Sequence, residues 1–354
     1  MTRRARWKVF YACLLSVTVA LFLFITNHVG GDCSNKCGSL PYRIAAGDDI
    51  IQGHGRNITV VTLYFNIGNF RKGNGDVRGT HDKYKNWMKS WASLTNDVIG
   101  FFDDDEILEY FRSIRSSQPA DRSLLIKLNR TDLDSFKYLR NVRDIYSSPV
   151  YPRHSPNTVS ADYSCTMDAK YDVIQIALDL GLVRTKYIAW LDIGYFRDMV
   201  DRPPQDRRFR LEVPEDFNAS RVAFSEVTPR SDLVNATPWH YIKFNHVWVA
   251  GGLFLGTAKV IEKFLKSYKS TRRALLARGL SSTDQQVIGA MYSPEFLPHQ
   301  QVDIMAYTCR TGQYGLYGSQ RKYFCLGYTC VRANVDRQVA DALYEKLRYI
   351  TRFI

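Results

Sequence analysis

The sequence predicts an α/β fold, with a mixed but mostly parallel sheet flanked by helices, after one N-terminal transmembrane helix. Two observations predict it. From residue 57 onward, short β-branched and aromatic runs alternate with helical patterns, the signature of parallel strands joined by helical crossovers. Ahead of them, residues 9–26 form an 18-residue run without a charge. As a helix this run spans about 27 Å, enough for a thin bilayer.

The elements follow in order. Arg3, Arg4, Arg6 and Lys8 precede the apolar run and no basic residue directly follows it. That asymmetry predicts a cytoplasmic tail (1–8), a signal anchor (9–26) and a lumenal remainder. A cleaved signal peptide is the alternative, but the run is longer than the usual apolar core and lacks an A-x-A site. Residues 27–56, rich in Gly, Asp and Ser, read as a lumenal stem, and 57–354 as one globular body. ITVVTLYFNIG (58–68) reads as a buried strand ending in a loop at Gly68. Residues 81–94 follow as a helix with Tyr84, Trp87 and Trp91 on one side. Residues 98–102 and 124–128 are further strands, with helices at 107–114 and 132–143. The run 165–180 is a helix, and KYIAWLDIGYF (186–196) a strand reaching Asp192 and Gly194. After a Pro- and Arg-rich loop (202–210), residues 222–227 and 241–256 read as strands. Helices are then expected at 257–278, 283–292 and 337–349.

Composition supports the same compartment. Outside the anchor lie Cys33, Cys37, Cys165, Cys309, Cys325 and Cys330; their spacing lacks His partners for zinc, so disulfides are expected with the pairing left open. Asn57, Asn129, Asn218 and Asn235 head N-glycosylation sequons, the last followed by Pro238. The localisation expected is a Golgi or ER membrane, single-pass type II. The formal charge is +13, of which four charges belong to the tail. The rest is dispersed, without the basic clusters and interleaved aromatics of a nucleic-acid binder.

For chemistry, Asp192 is carried by an apolar strand to the edge of the sheet where α/β proteins bind ligands. It reads either as a ligand for a divalent cation or as a loop cap. Gly251 and Gly252 interrupt a buried strand, marking a ligand or close packing. Asp284 follows Ser281, Ser282 and Thr283 at a helix start, where N-capping is the plain reading. Lys170, on a helix, has the pattern of an ordinary solvated lysine. No G-x-S-x-G, P-loop, H-E-x-x-H or early G-x-G-x-x-G is present, which leaves serine-hydrolase, NTPase and zincin chemistry without a basis.

The order of these features resembles GT-A type nucleotide-sugar glycosyltransferases, and more closely the HtrL/YibB family. VTLYFNIGNF, KYKNWMKSW, DAKYDVIQIAL, KYIAWLDIGYF, VAGGLFLGT and STDQQVIGAMY carry the resemblance between about residues 58 and 298. It implies a GT-A-like body that binds a nucleotide sugar and transfers the sugar to a glycan or glycoprotein acceptor. Asp192 would hold Mn2+ or Mg2+ on the diphosphate, and Lys170 would contact the donor. Thr62, Asn66 and Gly68 would lie near the base, Gly251 and Gly252 at the sugar or acceptor, and Asp284 and Gln285 near the reacting carbon. The sequence departs from the pattern at Asp192-Ile193-Gly194, which supplies one carboxylate where D-x-D has two. A metal there would call on Asp198 or His299. Asn66 also stands where the first loop usually has Asp. The alternatives are a carbohydrate-binding or scaffold protein that keeps the fold, and a glycan hydrolase, which needs two carboxylates flanking a sugar cleft.

Overall fold

The computed structural model describes residues 57–71, 77–201 and 208–333. The expected tail, anchor, stem, Cys33, Cys37 and the 337–349 helix lie outside the described residues. Among the described residues no helix is long and apolar enough to cross a membrane.

The first strand, β1 (Ile58–Tyr64), is buried along its whole length. Its residues serve two cores, Val61 and Leu63 on one face, Ile58, Val60 and Tyr64 on the other. Such continuously apolar strands belong to a sheet covered on both sides. A small hairpin, β2 (Phe70–Arg71) and β3 (Val77–Gly79), leads to α1 (His81–Met88). Next come β4 (Val98–Phe102), α2 (Asp105–Arg115) and β5 (Ser123–Lys127). Two short helices follow, α3 (Asp134–Lys137) and α4 (Leu139–Ser147), and then the long α5 (Ala161–Asp179) and β6 (Tyr187–Leu191). The second half contains β7 (Phe209–Leu211), β8 (Val222–Glu226), α6 (Pro238–Lys243), β9 (Val249–Thr257) and α7 (Ala258–Ala277). It ends with α8 (Asp284–Met291), β10 (Ile304–Tyr307), α9 (Gly318–Cys330) and β11 (Val331–Ala333).

Seven strands form the central sheet, in the order β10-β8-β9-β6-β1-β4-β5. Only β9 runs against the others, pairing antiparallel with β6 and β8 while the remaining pairs are parallel. Helices α5, α7 and α8 pack on one face, through Tyr171, Ile174, Phe264, Tyr268 and Ile288. On the other face Met88 of α1, Phe111 of α2 and Leu326 of α9 join the second core. The reversal of β9 matters for function. It sets Leu253 opposite Leu191, so the start of β9 and the end of β6 meet at one edge.

Three expectations are corrected. Residues 241–256 are not one strand: Thr237 and His240 form a capping box with Pro238 in the first turn, so the chain enters α6 before β9. Asn245, at φ 50°, then turns it toward the sheet. The 132–143 helix is divided at Tyr138, which lies outside helical geometry. In the loop expected at 202–210, Phe209 and Arg210 instead open β7, which pairs with β11. The stretch between the helices expected at 283–292 and 337–349, where no element was expected, contains α9, anchored by a Cys309–Cys325 disulfide. Cys165 and Cys330 are free and buried, so neither bears out the expected pairing.

Candidate functional site

Asp192 follows β6 directly, and its backbone N–H donates to the Gly252 carbonyl at 2.8 Å. A tight turn comes next, closed by the Tyr195 N–H on the Asp192 carbonyl. Gly194 is needed in that turn, since a Cβ there would stand 2.6 Å from the Trp87 ring.

Lys170 is not solvated. Helix α5 is apolar on most of its circumference, with Ala169, Tyr171, Val173 and Ile174 all buried, and Lys170 is 2% exposed. Its Nζ donates to the Gly251 carbonyl at 3.0 Å and to Asp284 Oδ2 at 3.1 Å. Asp192 Oδ1 lies 3.1 Å from the same nitrogen. Three acceptors meet the three donors of an ammonium, and the Trp190 ring stands 5.5 Å away. Burial alone would pull the Lys170 pKa down, but Asp192 and Asp284 together raise it above the ordinary lysine value. Asp284 is buried as completely; desolvation raises its pKa and Lys170 draws it back. The lysine is therefore a fixed cation between two carboxylates.

The glycines have a steric reason. A Cβ on Gly251 would fall 2.2 Å from Asp284 Oδ2. One on Gly252 would lie 3.1 Å from the Tyr195 ring and 3.5 Å from Asp192 Oδ2. Thr283 caps α8 in backbone geometry without a side-chain cap bond. Its hydroxyl and that of Ser282 donate to Gln286 Oε1 instead.

These groups form the floor of a cleft of about 830 Å³ at the ends of β1 and β6. Gly68, Lys170, Asp192, Gly251, Gly252, Asp284 and Gln285 all line it. Thr62 and Asn66 do not. The Thr62 hydroxyl donates to the Leu191 carbonyl at 2.7 Å and ties β1 to β6. Asn66 organises the loop, its N–H donating to Asp103 and its side chain accepting from Gly68 N–H. Sequence reasoning also missed much of the wall: Lys83, Tyr84 and Trp87 from α1, Tyr163 from α5, Arg197, and Gln320, Tyr323 and Phe324 from α9. The aromatic spacing in 81–94 held a signal for Tyr84 and Trp87. Burial, then the nearby carboxylates, raises the Tyr163 phenol pKa, and burial chiefly does the same for Tyr84. Both phenols remain hydrogen-bond donors at neutral pH. Of the sequon asparagines, Asn129, Asn218 and Asn235 are exposed and Asn57 is half-buried at the start of β1.

A divalent cation on a diphosphate needs one or two protein carboxylates with free oxygens, the phosphate and water oxygens completing its shell. Among the described residues no three His, Cys, Asp or Glu side chains converge. Asp192 Oδ1 already accepts from the Trp190 indole at 2.7 Å and faces Lys170. Only Oδ2 remains, with an ammonium beside the same carboxylate. Neither Asp198, which accepts from the Tyr328 hydroxyl, nor His299 lines the cleft. Among the described residues the cleft thus offers a cation a single carboxylate oxygen, beside a buried ammonium, and does not by itself fit a resident divalent cation.

Fold and site together define an α/β protein with a charged, aromatic-walled cleft at the carboxyl ends of its parallel strands. The family described as "Bacterial protein of unknown function (HtrL_YibB)" matches residues 56–297, more than half of the chain, and the chain belongs to that family. It is 23% identical to Protein HtrL of Escherichia coli (strain K12) over 296 residues, covering 78% of this chain and 93% of that protein. Among solved structures it is similar to mouse xyloside xylosyltransferase 1 in its apo form. That similarity has a TM-score of 0.40 and 10% identity, over 79% of this chain and 98% of the other.

Proposed function

We propose that this chain is a GT-A-like nucleotide-sugar glycosyltransferase acting on a glycan or glycoprotein acceptor. One observation carries the reading. Lys170, Asp192, Gly251 and Asp284, all singled out in the sequence, meet through contacts of 3.0–3.1 Å at the floor of one cleft. The cleft has the position, size and mixed aromatic and polar wall of a small-molecule site.

In the reaction, an acceptor hydroxyl attacks the anomeric carbon of the donor. The new C–O bond forms as the bond from that carbon to the diphosphate breaks, and the nucleoside diphosphate departs with the electron pair. Asp192 Oδ2, the oxygen not committed to Lys170 and Trp190, takes the hydroxyl proton as general base. Asp284 and the Gly251 carbonyl act on Lys170 as positioning groups, and Gln285 faces the reacting sugar. The cellular setting we propose is a Golgi or ER membrane with the body in the lumen. The Cys309–Cys325 disulfide supports an oxidising compartment.

The test is a thermal-shift and turnover screen of the full-length protein against UDP-, GDP- and CMP-sugars. A donor is expected to raise the melting temperature, and release of nucleotide should depend on an acceptor glycan. Asp192→Asn is expected to lower kcat about 10²–10⁴-fold while donor binding persists, as for loss of a general base. Binding without turnover in the native protein, across acceptors, would leave a sugar-binding protein. No shift with any nucleotide sugar would refute the donor cleft itself.

A further inference from the structure

The donor reading leaves open what neutralises a diphosphate, and this inference rests on that reading. The cleft is lined by three basic side chains, Lys83, Lys170 and Arg197, against two acidic ones, Asp192 and Asp284. Lys170 is saturated by its three acceptors and already occupies the place of a cation beside Asp192. The other two basic groups are exposed and differently held.

Arg197 follows the Asp192 turn. Its guanidinium lies 5.4 Å from the Trp87 ring centroid and 4.9 Å from that of Phe324. One Nη1–H donates to the Gly194 carbonyl at 3.2 Å. Two rings and a carbonyl fix the plane of the group and use only part of its five N–H donors. A guanidinium oriented in advance loses little freedom when it takes a phosphate in a two-pronged grip. Lys83 comes from α1, the same helix as Trp87, and supplies a second point charge to the same cleft. Phe324 comes from α9, so both covers of the cleft meet at Arg197.

We infer that the cleft binds a nucleoside diphosphate without a divalent cation, with Arg197 gripping the phosphates and Lys83 completing the neutralisation. When the sugar–phosphate bond breaks, the negative charge left on the departing diphosphate is met by these two side chains. The donor set around Asp192, one free carboxylate oxygen next to a buried ammonium, agrees with this arrangement.

The experiment is calorimetric titration of the full-length protein with UDP, GDP and CDP, in EDTA and again with excess Mn2+. One nucleotide is expected to bind with the same Kd in both buffers. Arg197→Ala should weaken it at least tenfold, Arg197→Lys less, and Lys83→Ala several-fold, with native melting temperatures confirming that each variant is folded. Binding seen only with Mn2+ overturns the inference and leaves the donor reading standing. Metal-independent binding untouched by all three variants overturns the roles given to Arg197 and Lys83. If none of the three binds in either buffer, the inference falls together with the donor cleft.

Discussion

Replacing Lys170 with Met removes a buried cation and leaves its neighbours. Asp284, 2% exposed, would keep a carboxylate with no counter-charge, and the Gly251 carbonyl would lose its donor. Breaking a buried ion pair from one side costs about 3–5 kcal/mol. For a body of this size each kcal/mol moves the melting temperature by roughly 2–4 °C, so a fall of about 6–20 °C is expected at pH 8. The deficit has a predictable pH dependence. Asp284 already titrates above the ordinary aspartate value through burial, and Lys170 is what draws it back. Without the lysine its folded pKa rises further above the unfolded one. Such a group stabilises the fold below its unfolded pKa, and that contribution is lost as the pH rises through the folded value. The gap between Lys170→Met and native protein should therefore narrow from pH 8 toward pH 5. Adding Asp284→Asn should recover at least half of the loss at pH 8, because the orphaned charge is gone. Thermal unfolding followed by circular dichroism across this range gives all three numbers. A Lys170→Met protein within about 2 °C of native at pH 8, a gap that does not narrow on acidification, or a double variant no better than the single would each refute the buried-cation argument.

Gly251→Ala should destabilise by at least about 1–3 kcal/mol, the usual range for overpacking, since the new methyl group meets Asp284 Oδ2 at 2.2 Å. Differential scanning calorimetry reads that loss, and Gly68→Ala, where no atom lies within 4 Å but φ is +75°, makes a comparison limited to backbone strain. Cys309→Ser opens a loop with a sequence separation of 16 residues and should cost about 3 kcal/mol. The same variant should also weaken UDP, GDP or CDP binding in titration, because the bridge anchors the helix that carries Phe324. Asp192→Asn, half-exposed at the cleft, should leave the melting temperature within a few degrees of native while turnover collapses.

Much of the fold was legible because its strands are buried on both faces. Runs such as ITVVTLY and YIAWL carry no polar face to confuse the period. The residues at the ends of those strands were legible for the same reason: Asp192 is where apolar sequence stops. Lys170 was harder. A lone lysine on a helix reads as solvated, although Ala169, Tyr171, Val173 and Ile174 around it imply a helix buried on nearly all sides, where a lysine has no route to water. Helix α6 was lost because Tyr241, Ile242 and Phe244 favour strands locally, while the deciding signal was the Thr237–Pro238 start. Helix α9 contains Gly327, a poor helix former, and that glycine exists for tertiary reasons: a Cβ would meet the Tyr195 ring at 2.2 Å. Thr62 and Asn66 were assigned by their place in a motif order, and order fixes the strand end without fixing which side chains turn toward the cleft.

The insertion of β9 between β6 and β8 sets a timetable for the molecule. Strands β6 and β8 cannot pair with each other, and the sheet stays split until the intervening strand arrives later in the sequence. The ammonium of Lys170 and the carboxylate of Asp284 are 114 residues apart in the chain. A nascent polypeptide emerging from the ribosome thus carries an unneutralised lysine on an apolar helix, an open edge at β6 and an unpaired β8, until residues 249–284 are free to fold. Contacts of such long range are slow to form and leave sheet edges open meanwhile. Chaperone dependence during synthesis should accordingly end as this stretch becomes available, making assembly of the cleft one of the last events in the maturation of the chain.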